Sequence, residues 1–104
     1  MQAAQEINST SPLAVSADKP NNLQGRMDAR EAHLAYVKDS GASFRMGGPY
    51  LDEAGQMVGS LIIIETDDLA AAKAWSANDP YVRAGVFETV EIRPFRVTAG
   101  GLNP

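Results

Sequence analysis

The sequence predicts an α+β domain in which two helices cover one face of a four-stranded antiparallel sheet. Three observations carry this. Leu23, Met27, Leu34 and Val37 recur at helical spacing across residues 22–40, and Leu69, Ala72 and Trp75 do so again before Asn78. Between them, MVGSLIIIET (residues 57–66) holds a β-branched run that is apolar on both faces, as in a central strand covered on both sides. With a strand signal at each end, the order is β-α-β-β-α-β, the ferredoxin-like plan.

Residues 1–11 are polar and without periodicity and are expected to form a disordered leader, leaving a domain over 12–98 and a tail over 99–104. PLAVSADKP (12–20) reads as a short first strand running into a turn, although its apolar content is thin for a buried strand. The first helix follows over 22–40 and stops at Gly41, a residue suited to the left-handed position past a helix end. Phe44 to Met46 reads as a second strand ended by Gly47-Gly48-Pro49, and Asp52 and Glu53 as acids of the next turn. After the central strand, Asp67 or Asp68 caps the second helix, with Trp75 in its core face, and Asn78 closes it in a left-handed conformation. Asp79-Pro80 has the form of an N-cap followed by the first position of a new short turn, which Gly85 closes. From there the last strand sets Val86, Val90 and Ile92 against Phe87, Thr89, Glu91, Arg93 and Phe95.

Two helices cover only one side of such a sheet. The other side, expected to carry Phe87, Phe95, Val97 and half of the run 61–64, is too apolar for water, and pairing of two copies into a closed, two-fold dimer would cover it.

Composition narrows the function classes. A length of 104 residues implies one domain. Nine Lys and Arg against thirteen Asp and Glu, a net charge of −4, argue against a nucleic-acid partner, whose binding is driven by clustered cations. The absence of cysteine excludes a disulfide framework, a thiolate nucleophile and Cys-based metal sites, and fits a cytoplasmic setting. No apolar run approaches membrane-spanning length, and no basic start with an apolar core marks an export signal, so no membrane partner is expected. A lone histidine without clustered carboxylates is a poor start for a metal site. Neither a nucleophile elbow nor a phosphate-cradling glycine loop is present. If there is chemistry, these patterns favour acid–base catalysis without a cofactor.

The blocks REAHLAYV (30–37), GGPYLDEAGQMVGSLIIIET (47–66) and AWSANDPYVRAGVFETVEIRPF (74–95) resemble the YciI-like, or YCII-related domain, family in correct order. The resemblance runs from about Asp18 to Val97 and is poorest at the first strand, which in the family is a more apolar run. It implies a dimeric α+β barrel built on the ferredoxin-like plan, with an active-site His–Asp pair matching His33 and Asp79.

Read alone, His33 sits at the edge of the apolar stripe of its helix, beside Arg26 and Arg30, and is most simply a structural or exposed histidine. With the resemblance, Asp79 would accept from one ring nitrogen and fix the tautomer while the other nitrogen acts as a base. Asp79 would cap its turn through one carboxylate oxygen and orient His33 through the other. Arg26 and Arg30 would attract a carboxylate or phenolate, or else lie solvated and paired with Asp28 or Glu31. Tyr50 and Tyr81 would line an aromatic pocket or merely pack under loops. The expected function is proton transfer, of elimination or isomerisation type, on a small acidic or hydroxylated aromatic or unsaturated compound by a homodimer. The alternatives are a dimeric module that binds small molecules or assists other subunits without catalysis, and a purely structural dimer.

Overall fold

The computed structural model describes residues 11–100; most of the expected leader and tail, residues 1–10 and 101–104, lies outside the described residues. Four strands form one sheet: β1 (Leu13–Asp18), β2 (Phe44–Leu51), β3 (Met57–Ile64) and β4 (Phe87–Arg93). Their spatial order is β2-β3-β1-β4, and every neighbouring pair is antiparallel. Helices α1 (Leu23–Asp39) and α2 (Leu69–Ala77) and the single turn α3 (Pro80–Arg83) complete the α+β plan expected from the sequence.

The thin first strand is central. Its period-2 pattern puts Ala14 and Ser16 inward, beside Ile62 and Ser60 of β3, and leaves Leu13 and Val15 on the other face. Small inward residues suffice here because Ile62 and Ile64 (5% and 2% exposed) fill the layer beneath the helices, each burial contributing about 1.5–3 kcal/mol. β2 is longer than its sequence pattern implied. Gly47, Gly48 and Pro49 continue the ladder opposite Ile62, Leu61 and Ser60 rather than ending it. β2 lies at the sheet edge, where a proline without an N–H costs no interior ladder bond.

Local signals set the turns. Asp52 Oδ1 accepts from the backbone N–H groups of Ala54 and Gln56, both at 2.9 Å, closing the β2–β3 hairpin, with Gly55 at φ 86°. Asp68, rather than Asp67, caps α2 by accepting from the Ala71 N–H at 2.8 Å. Asn78 ends α2 in a right-handed conformation, φ −96°, instead of the expected left-handed one, because its N–H still bonds back to Ala74 and Trp75. Trp75 is half-buried rather than central: its Nε1 donates to Ser40 Oγ at 2.7 Å, and its ring packs near Tyr36 and Phe44.

Two side-chain assignments change. On α1 the buried residues are Arg26, Ala29 and His33, whereas Leu23, Met27 and Leu34 are 37%, 46% and 45% exposed. The inward stripe is polar because what it meets across the interior is polar and aromatic. On β4, a register shift opposite Ala17 and Asp18 changes the phase of the strand. Phe87 pairs with Asp18 and packs into the cluster of Ala29, Tyr81 and Val86, so it belongs to the helix side and not to the open face. Phe95 and Val97 follow the last strand rather than lying in it. The open face instead carries Leu13, Val15, Leu61, Ile63, Met46 and Tyr50, with Thr89, Glu91 and Arg93 along its β4 edge.

Candidate active site

Arg26, Ala29 and His33 are spaced three and four residues apart, so they form one line along α1 facing the sheet and α3. At the far side of the gap, Asp79 is the N-cap of α3, with Pro80 at the first helical position, where its missing N–H is not needed. The Asp79 Oδ1 accepts from the Tyr81 backbone N–H at 2.9 Å and meets His33 Nδ1 at 2.8 Å. Cap and imidazole therefore share one oxygen, where the sequence reading gave each its own. A carboxylate oxygen has two lone pairs, and the tight cap geometry turns that oxygen toward both donors.

The pair is nearly enclosed, with side-chain exposures of 11% for His33 and 3% for Asp79, so His33 is buried rather than at the edge of its helix. Since a carboxylate only accepts, Nδ1 is the nitrogen that carries hydrogen in this contact, and in a neutral imidazole the lone pair is then on Nε2. Nε2 has no partner among the described residues, and no buried side-chain nitrogen or oxygen there is left without one, so Nε2 reaches solvent.

Tyr81 lies against this pair. Its ring, in a residue 3% exposed, stacks on the imidazole with centroids 4.0 Å apart and planes 13° from parallel. The Arg26 guanidinium lies over the same ring, 4.7 Å from its centroid, and Phe87 meets it edge-on at 5.7 Å. Arg26 is itself immobilised. Its Nε and Nη2 donate to the two oxygens of Asp18 at 2.8 and 2.9 Å, and Nη2 also donates to Ser60 Oγ at 2.8 Å. Its partner is thus Asp18, not Asp28 or Glu31, and the residue is 2% exposed, not solvated. Burial alone would lower the Arg26 pKa, but the hydrogen bond and charge of Asp18 outweigh it and the pKa is raised.

Burial raises the Tyr81 pKa above its ordinary value near 10, against the opposing pull of Arg26 and Arg30. Burial raises that of Tyr36 as well, and the Asp79 charge adds to it. Both phenols therefore hold their protons to higher pH in the folded chain than in the unfolded one. Their contribution to stability is fully present below about pH 10 and is lost as pH rises through the folded values. Urea unfolding across about pH 8–11 should show wild-type stability falling at the alkaline end, with a shallower fall in Tyr81→Phe.

Of the residues singled out from sequence, the fold thus brings His33, Asp79, Tyr81 and Arg26 together. Arg30 is exposed on α1, close enough for its charge to act on the Tyr81 phenol. Tyr50 lies across the sheet on the open face, beside Gly59, and does not share this site within one chain. Asp18 and Ser60 were not anticipated. The available signal was a serine inside the apolar run of β3, and a carboxylate two residues past Ser16 on the inward side of β1. A shallow open cleft between α1 and α3, lined by Gly25, Asp28, Ala29, Ala32, Pro80, Arg83 and Ala84, adjoins the pair without including it. Among the described residues, no three His, Asp or Glu side chains converge as metal ligands would. No helix there is long and apolar enough to cross a membrane.

The YCII-related domain model matches residues 11–96. An uncharacterized protein of Haemophilus influenzae is 42% identical over 88 residues, covering 76% of this chain and 89% of that protein. Protein YciI of Escherichia coli is 40% identical over 87 residues, with the same coverage. Among solved structures, 5-chloro-2-hydroxyhydroquinone dehydrochlorinase (TftG) from Burkholderia phenoliruptrix, in complex with 2,5-dihydroxybenzoquinone, superposes with a TM-score of 0.77 at 32% identity, covering 86% of this chain and 95% of that one.

Proposed function

The chain belongs to the YCII-related domain family, and from that membership we propose that it is a small enzyme that moves a proton on hydroxylated ring compounds, with elimination or isomerisation as the outcome. The observation that carries the reading is the enclosed 2.8 Å contact between His33 Nδ1 and Asp79, with Nε2 left open. In this reading Nε2 takes a proton from a substrate O–H or C–H. The electron pair left behind moves into the ring system, and in an elimination the leaving group departs with its own bonding pair. Asp79 holds the reactive tautomer and stabilises the imidazolium that forms. The positive charges of Arg26 and Arg30 would offset the negative charge developing on a phenolic substrate, Arg26 from within its ion pair and Arg30 from the exposed side of α1. The likeness to a dehydrochlorinase of a chlorinated hydroxyhydroquinone supports both the reaction class and a planar, acidic substrate.

The test is turnover. Chloride release from 5-chloro-2-hydroxyhydroquinone, together with absorbance changes on a set of non-halogenated hydroxyquinols, should exceed the buffer rate with wild-type protein and return to it with His33→Gln. Wild-type rates equal to buffer on every compound would overturn the proposal. The low exposure of the pair favours a second reading, a module that binds such compounds without converting them; saturable binding by calorimetry with no turnover would support it.

We also propose that the open face of the sheet pairs with a second copy, because Leu13, Val15, Leu61 and Met46 on it are only half covered in one chain. Light scattering at micromolar concentration should then give twice the 11.1 kDa chain mass. Leu61→Glu, which would put a charge into the dry contact, should reduce the mass to that of one chain. A wild-type monomer would rule the pairing out.

A further inference from the structure

A hydrogen bond fixes a direction but not a plane. The contact between His33 Nδ1 and Asp79 Oδ1 restrains one ring atom, but rotation about the Cα–Cβ and Cβ–Cγ bonds still lets the imidazole tilt, and a tilt carries Nε2 away from a fixed substrate. What removes this freedom is the stacked Tyr81 ring, 4.0 Å away and 13° from parallel. We propose that Tyr81 is a positioning residue for His33, its ring setting the imidazole plane while its backbone N–H sets the Asp79 oxygen that the imidazole meets. The proposal rests on the acid–base function proposed for His33.

Two of the restraints on the pair come from this one residue. The Tyr81 N–H reaches Asp79 Oδ1 at 2.9 Å, and the ring covers a face of His33. The ring is itself unable to follow a tilting imidazole. Arg26 lies over it, held in turn by Asp18 and Ser60, and Phe87 meets its edge. The effect belongs to the ring and does not need the hydroxyl, which sets the expectation for substitution: phenylalanine substitutes for tyrosine, and an aliphatic residue does not.

NMR of the intact chain tests this without any substrate. In wild type, the carbon-bound ring protons of His33 should show upfield ring-current shifts and cross-relaxation to the Tyr81 ring, and the nitrogen shifts should report the Nδ1–H tautomer. Tyr81→Phe should keep all three signatures. Tyr81→Leu and Tyr81→Met should lose the ring-current shift and average the cross-relaxation between the His33 ring protons and their neighbours on α1 and α3, while the nitrogen shifts keep the tautomer that Asp79 sets. On a substrate that wild type turns over, both aliphatic variants should lose about tenfold or more in kcat with KM changed less than about threefold, and Tyr81→Phe should recover most of the loss. Absence of the ring-current shift and cross-relaxation in wild type overturns the proposal even if the aliphatic variants fail to fold. A folded aliphatic variant in which the His33 ring keeps its wild-type cross-relaxation to α1 and α3 overturns it as well. Failure of the proposed reaction would show separately, as wild-type turnover that His33→Gln leaves unchanged.

Discussion

Asp79→Asn should fold with nearly wild-type stability and lose turnover by a factor of about 10² to 10⁴, the range general-base catalysis contributes. The separation follows from the shared oxygen. An asparagine oxygen in the same place can still accept the Tyr81 N–H, and Asn is as good an N-cap as Asp, so α3 keeps its first turn. What the amide cannot do is stabilise an imidazolium. Turning its NH2 toward His33 would set that NH2 against the Tyr81 N–H as well, since both contacts fall on one oxygen, so the amide keeps its oxygen there and the cap with it. Asp79→Ala should lose the same activity and, in addition, about 0.5–2 kcal/mol of stability with the cap. Thermal melts and turnover measured on both variants separate the two roles. Equal turnover in wild type and Asp79→Asn would mean that the carboxylate charge plays no part.

Asp18→Ala should destabilise the chain by about 3–5 kcal/mol, the cost of leaving one member of a buried ion pair uncompensated. Arg26 is 2% exposed and its Asp18 partner 6%, and two of the guanidinium donors reach the two Asp18 oxygens, so no water replaces the lost carboxylate without opening the layer between β1 and α1. Against a total of about 5–15 kcal/mol for small domains, this is enough to unfold a marginal protein. Removing both charges with apolar residues of similar size, Asp18→Leu with Arg26→Met, should return much of the stability, because the desolvation cost disappears with the pair. Urea unfolding of the single and double variants reads the difference. A single variant within about 1 kcal/mol of wild type would show that the guanidinium finds water or another partner.

Most of the fold was legible because its signals are local. The order of elements followed from periodicity, Asp52 and Asp68 from turn and cap chemistry, and the Asp79-Pro80 turn from two adjacent residues. His33 and Asp79 were legible only through family resemblance: 46 positions apart in sequence, nothing in their spacing joins them. The inward face of α1 was misread for a physical reason. A search for apolar periodicity finds Leu23, Met27 and Leu34, while this helix buries an arginine and a histidine whose partners come from β1, β3 and α3. The phase of β4 was lost in the same way, since one register shift against β1 moves Phe87 to the opposite face without any mark in the alternation.

The single Asp79 oxygen that serves both Tyr81 and His33 ties chemistry to local folding. α3 is one turn long, and short turns open on their own far more readily than whole domains do. When this one opens, Asp79 gives up its cap and its contact with His33 together, so the closed turn and the base proposed at His33 would be one population. Exchange of the Tyr81 amide proton with solvent deuterium therefore measures how often the contact between Asp79 and His33 is open. Any ligand that requires the closed pair would slow that exchange, whatever its own spectrum or colour.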